Sequence, residues 1–317
     1  MDLIKISQAV KDVLSLLNID VTRLSAFDDT PTLEPFALEC IAEAYKRGYL
    51  SRDKLSSTLQ ESHIRIGAAV GHYVWLRPAV VPHKVAILGS LLMGQYYCVD
   101  DCCFSSQSLV EYGARLVAGR SQLDKGLDHI TEVNCELADM YPAVVGDMLR
   151  MSHQAYMTGN YLEGQMASEK GLRWTVQKDT PLFPTIMKTM TSVATSLYLL
   201  SFPPDLHFTS YLQTIPDGII VHINTADIMS YYKEAIDQEF NRVEQIAQLH
   251  HITGSEMLES LVTSTTVSHS RVLRSLLEAD PSGRLASCHE KAIQGFVTFQ
   301  ALHHRYKLRK LGVIPVA

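Results

Sequence analysis

Val85-Ala86-Ile87-Leu88-Gly89-Ser90-Leu91-Leu92-Met93-Gly94-Gln95-Tyr96-Tyr97-Cys98-Val99 is the longest apolar segment of the chain, and Asp100-Asp101 follow it directly. The segment is shorter than the roughly 18–20 residues a bilayer requires and contains Gln95, so it reads as a buried helix, and no membrane span is expected. Two carboxylates at the end of such a helix meet the negative end of its dipole and a desolvation cost, and a bound cation is the natural compensation. Taken alone the pair also fits a solvated helix end, just as Asp28-Asp29 beside Thr30-Pro31 reads as a turn or cap.

On either side, apolar residues recur at spacings of three and four, as in Leu3, Ile6, Val10, Val13, Leu14 and Leu17, while strand alternation is almost absent. Helices are predicted there and over 36–48, 54–74, 84–104, 106–118, 143–170, 183–200, 219–247, 254–279 and 285–310. Loop chemistry marks the breaks, for example Arg77-Pro78 to Pro82, Asp179-Thr180-Pro181 and Asp280-Pro281-Ser282-Gly283. No composition shift, linker or repeat divides the chain. The expectation is an all-α fold in a single domain over 1–317, its helices burying their apolar stripes against one another.

With 46% hydrophobic and 20% charged residues the chain has the composition of a folded protein. Lys+Arg 28 against Asp+Glu 34 leaves a net charge of −6, without the basic excess that nucleic acid binding needs. Met1-Asp2-Leu3-Ile4-Lys5 opens no signal peptide, so a cytoplasmic protein is expected. Cysteines 40, 98, 102, 103, 135 and 288 lack paired CxxC spacing and read as reduced core thiols.

A second constellation is Ala226-Asp227-Ile228-Met229-Ser230-Tyr231-Tyr232-Lys233-Glu234. Asp227, Ser230 and Glu234 at i, i+3 and i+7 place three oxygen donors along one helix face, the ligand type Mg²⁺ takes, and Lys233 adds a phosphate-compatible cation. A third is His303-His304-Arg305-Tyr306-Lys307-Leu308. Arg305 can fork two hydrogen bonds onto a phosphate and Tyr306 offers one more, while His303 and His304 are expected in solvent. The bland readings are a polar helix face and a basic helix end.

In this order, the three segments resemble the class I terpene cyclases of fungi, specifically the trichodiene synthase family. The resemblance covers roughly residues 60–310 and includes Tyr161-Leu162-Glu163-Gly164 and Gly295 to Phe299. It implies a class I terpene synthase helical bundle enclosing an apolar cavity, with farnesyl diphosphate as substrate and two or three Mg²⁺ ions as cofactor. Metal ligands would be Asp100, Asp101, Asp227, Ser230 and Glu234, and the diphosphate would be held by Lys233, Arg305 and Tyr306. A C15 hydrocarbon of humulene type is the candidate product, with diphosphate as terminating base. A homodimer is left open.

The departures are specific. Ala226 stands where the family has its first metal-binding Asn, and Asp100-Asp101-Cys102-Cys103 lacks a further acid. Near Pro184 to Met187 there is no diphosphate-sensing arginine, Lys188 being the nearest cation, and the family's longer tail is expected to be missing, the sequence stopping at Ala317. Asp227 is the expected substitute at the Ala226 vacancy, ahead of Asn224. Met93, Tyr96 and Tyr97, at i−7, i−4 and i−3 from Asp100, are candidates to line the cavity, as are Phe299 and Tyr161, with Trp75, Thr191, Ser192 and Thr195 further ones; core packing is the alternative for each. Prenyl transfer and non-catalytic prenyl diphosphate binding remain open as functions.

Overall fold

Two glycines set a close helix contact in the computed structural model. A Cβ at Gly67 would lie 2.2 Å from the Ser90 carbonyl oxygen, and one at Gly94 would lie 2.8 Å from that of His63. Without side chains there, α3 (Glu61–Gly71) and α4 (His83–Asp100) pack backbone to backbone. The apolar run of α4 is thereby buried on all sides, as expected of a helix hydrophobic around its whole circumference.

The structure describes residues 2–24, 31–51, 58–101, 103–168, 176–239 and 241–314. Among them there is no strand, and no helix is long and apolar enough to cross a membrane. Chain order runs α1 (Leu3–Leu16), α2 (Leu33–Lys46), α3, α4, α5 (Ser106–Val117), α6 (Lys125–Asp139), α7 (Ala143–Ser168), α8 (Phe183–Thr191) and α9 (Ala194–Leu199). It continues with α10 (Ile215–Asp237), α11 (Arg242–His250), α12 (Gly254–Ala279) and α13 (Arg284–Leu302). The turn at Asp28-Asp29-Thr30, the start of the helix predicted from residue 54, and Cys102 lie outside the described residues.

Helix α4 packs on α2, α3 and α6, whereas α10 packs on α1, α9, α12 and α13. Helix α7 joins the two groups through α5, α6, α8 and α9. A π-helical turn, His72–Leu76, continues α3 and carries the fully buried Trp75 against α4 at Gly89. Helix α13 lies on this turn, where a Cβ at Gly295 would meet the Tyr73 carbonyl at 2.0 Å.

Several predicted boundaries move. Helix α6 adds an element that the loop reading passes over. The helix predicted over 183–200 breaks where Val193 takes a left-handed φ of 49°, and that over 219–247 breaks at Gln238, φ 55°. The last ends at Leu302 rather than 310, because His303 is extended and accepts from the Arg305 N–H through Nδ1. His303 is accordingly buried, not solvated, and burial holds its pKa down at about 4. Of the predicted core thiols, Cys40, Cys98 and Cys288 are buried but Cys103 is exposed.

Candidate active site

A cavity of about 250 Å³ opens between α4, α7, α8, α10 and α13, a size suited to one small ligand. One part of its wall is apolar: Val70, Met93, Tyr96, Tyr156, Met187, Leu197 and Phe296. Another is ionic, with Asp100, Glu163, Lys188, Lys233, Glu234 and Arg305, and Tyr306 beside them.

Helix α4 ends at Asp100, with Asp101 as its C-cap, so the buried helix delivers one carboxylate to the cavity and one just behind it. Arg305 forks onto both, Nη2 donating to Asp100 Oδ2 at 3.0 Å and Nη1 to Asp101 Oδ1 at 3.1 Å. Its guanidinium sits over the Tyr97 ring at 5.5 Å. Enclosure by protein raises the Asp100 pKa, with Arg305, Lys188 and Lys233 opposing. Asp101 lies outside the cavity lining and also faces His63 Nε2 at 3.6 Å.

Helix α10 presents Ala226, Ser230, Lys233 and Glu234 to the cavity. Ser230 Oγ donates to Glu234 Oε1 at 2.6 Å, while Glu234 Oε2 is buried with no hydrogen-bond partner among the described residues. A buried carboxylate oxygen left unbonded is costly unless a ligand completes it. Burial raises the Glu234 pKa against the pull of Lys188, and Glu163, facing the same lysine, is raised in the same way. These residues fit a hard cation: Asp100, Ser230 and Glu234 supply the oxygen donors that Mg²⁺ takes.

Asp227 does not share that position. Its side chain is only 1% exposed and lies outside the cavity lining, bound by Arg242 Nη1 at 2.5 Å and Lys188 Nζ at 3.3 Å. The same Arg242 nitrogen donates to Asn224 Oδ1 at 3.1 Å, so neither Asp227, the expected substitute for the Ala226 vacancy, nor the disfavoured Asn224 lines the cavity. Lys188 and Arg242 were not among the site residues read from the sequence. Lys188 had a signal, as the cation nearest the absent sensor arginine; Arg242, beyond the helix break, had none. Burial works against the Lys188 charge, but Asp227, Glu234 and Glu163 outweigh it and raise its pKa.

Of the other candidates, Met93, Tyr96, Tyr97, Thr191 and Ser192 line the cavity, and Trp75, Tyr161 and Thr195 do not. Phe299 packs edge-on behind Tyr306, ring centroids 5.9 Å apart, and Phe296 takes the place in the wall. Lys233 is paired with Glu239 at 3.0 Å.

The family model described as trichodiene synthase matches residues 67–312. The chain belongs to the trichodiene synthase family. Every cavity-lining residue falls inside the matched span. Named fungal synthases are similar to the chain at low identity. The (E)-beta farnesene synthase of Metarhizium brunneum is 25% identical over 311 residues, 95% of this chain and 88% of the relative. Terpene synthase BipA of Cochliobolus sativus is 24% identical over 66% of this chain and 64% of its own, and alpha-cuprenene synthase COP6 of Coprinopsis cinerea 24% over 45% and 43%.

Proposed function

We propose that the chain is a cytoplasmic, single-domain sesquiterpene synthase that ionises farnesyl diphosphate in this cavity with Mg²⁺ and closes the farnesyl cation to a C15 hydrocarbon. The observation that carries the reading is the unpartnered Glu234 Oε2 beside Ser230, on the same cavity as Asp100 and the cations Lys188, Lys233 and Arg305. When bound, Mg²⁺ would supply Lewis-acid stabilisation of the departing diphosphate.

The chain's own residues do the rest. Arg305 and Lys233, held in place by Asp100, Asp101 and Glu239, put positive charge where the leaving group gains negative charge. Tyr306 adds a hydroxyl at the same wall. Met93, Tyr96, Tyr156, Leu197 and Phe296 keep water from the allylic cation, and the aromatic faces stabilise it by roughly 0.5–2 kcal/mol per ring.

Purified protein incubated with farnesyl diphosphate and Mg²⁺ should release diphosphate and a volatile C15 hydrocarbon. Geranylgeranyl diphosphate should be a poor substrate, given a cavity for one small ligand. Binding without diphosphate release would show a non-catalytic protein, and a longer prenyl diphosphate formed when isopentenyl diphosphate is added would show a prenyltransferase.

A further inference from the structure

One wall of the cavity backs onto a chain of hydrogen bonds that ionisation does not use. Tyr96 on α4 lines the cavity, and its Oη lies 3.1 Å from Nδ1 of His153 on α7. His153 Nε2 lies 2.5 Å from Tyr112 Oη, which lies 2.6 Å from Thr131 Oγ1, and Thr131 donates to the Leu127 carbonyl at 2.9 Å.

The direction of each bond follows from the far end. A carbonyl only accepts, so the single Thr131 proton goes to Leu127, and Thr131 must accept from Tyr112. Tyr112, its proton committed, must accept from His153 Nε2–H. Neutral His153 then has its lone pair on Nδ1, and Tyr96 donates to it. Burial holds the His153 pKa down at about 3, so the ring is neutral at physiological pH. Tyr156 fixes the phenol from the side, its hydroxyl donating to the Tyr96 carbonyl at 2.8 Å and its ring centroid 4.4 Å away.

We propose that Tyr96 is the base that ends the carbocation sequence, with His153 accepting the phenol proton. The inference rests on the sesquiterpene synthase reading and replaces diphosphate as the terminating base. The C–H bond beside the cationic carbon breaks and its electron pair becomes the new C=C bond. Its proton passes to Tyr96 Oη while the phenol proton passes to His153 Nδ1, so the charge moves from substrate to imidazolium with no other reactant. The proton returns through Tyr96 to the released diphosphate as the product leaves. The weak basicity of His153 is sufficient, because a C–H bond next to a carbocation is a far stronger acid than a buried imidazolium. Thr131, Tyr112 and His153 lie outside the lining, so Tyr96 is the member of this chain that meets substrate.

Two variants test the proposal with two readouts, diphosphate release from farnesyl diphosphate with Mg²⁺ and the distribution of volatile products. Tyr96→Phe removes the oxygen alone. His153→Gln can keep both hydrogen bonds, carbonyl toward Tyr96 and amide toward Tyr112, but cannot take a proton. In both, the share of the main olefin per diphosphate released should fall about fivefold or more in favour of alcohols and other isomers. A folded variant of either kind with the wild-type distribution overturns the relay, and Tyr96→Phe carries the test alone if the buried His153→Gln does not fold. No diphosphate release by the wild type would remove the synthase reading and the relay together; release with unchanged distributions would remove only the relay.

Discussion

Arg305 Nη2 lies 3.0 Å from Asp100 Oδ2, while Nη1 of the same guanidinium lies 3.1 Å from Asp101 Oδ1. The residue proposed to grip the leaving group is thus bound to the residue proposed to hold the metal. Each neutralises the other; on the proposed reading a cation at Asp100 and a diphosphate at Arg305 would replace this pair. Burial works against the Arg305 charge, yet Asp100 and Asp101 outweigh it and raise its pKa.

Removing the clamp should therefore reach the transition state. Arg305→Ala is expected to lower kcat/KM for diphosphate release by roughly 2–4 kcal/mol in transition-state terms, and Arg305→Lys, a point charge without the fork, by less. Steady-state kinetics with a coupled diphosphate assay measure both. Release by the alanine variant at the wild-type rate would remove Arg305 from the mechanism.

Asp100→Asn keeps the shape but not the charge. Turnover should fall roughly 100-fold, about 2.7 kcal/mol, at any Mg²⁺ concentration. Wild-type turnover across a Mg²⁺ titration would show that Asp100 is no ligand.

Asp227 makes the opposite kind of case. It is bound by Lys188 and Arg242, so Asp227→Asn leaves two cations beside a buried site without their counter-charge. The expected loss is about 3–5 kcal/mol of stability, since breaking a buried pair costs more than the pair contributes. Urea denaturation reads it. A ligand role would instead raise the Mg²⁺ needed for half-maximal activity and leave the unfolding midpoint in place.

Much of this was legible in the sequence, for reasons that differ between residues. The α4 segment announces itself because burial on every side demands an unbroken apolar run, and Asp100 stands out against it. Helix α6 carried a stripe, Leu127, Ile130, Val133 and Leu137, that spacing alone could have located. The breaks at Val193 and Gln238 had no signal, being ordinary residues held in left-handed conformations by their surroundings. Asp227 was misplaced because helical spacing groups residues by face, and a face of α10 has neighbours on both flanks: Ser230 and Glu234 reach the cavity, whereas Asp227 meets Arg242 from α11. The His153 relay joins α4, α5, α6 and α7, and no pattern within one helix could show it.

Stability should depend on pH through the buried histidines. Burial lowers His153 to about 3 and His222 to about 4, against an ordinary value of 6.5. Below pH 6.5 the unfolded chain takes up protons that the folded chain refuses, so this stability is complete above that value and is lost as pH falls toward the folded values. The cost is about 2 kcal/mol per histidine between pH 7 and pH 5. Urea unfolding at the two pH values should show it, and His222→Gln should shrink the difference by about 2 kcal/mol. An unchanged difference in that variant would assign the acid sensitivity elsewhere.

Ala226 offers the converse test, a gain. It lines the cavity four residues before Ser230 and eight before Glu234, on one face of α10, where the family carries an asparagine. With Asp227 and Asn224 both committed to Arg242, nothing in the described structure turns an oxygen to that point from either of them. Ala226→Asn should place an amide oxygen beside Ser230 and Glu234 and lower the Mg²⁺ concentration for half-maximal diphosphate release by about tenfold, about 1.4 kcal/mol. Because Ala226 already borders open space, the larger side chain should leave the unfolding midpoint nearly unchanged. Asn224→Ala is the control: it should cost stability by releasing Arg242 and leave the Mg²⁺ dependence alone. If Ala226→Asn leaves half-saturation where it is, or if Asn224→Ala raises it, the vacancy is filled by another donor when metal binds.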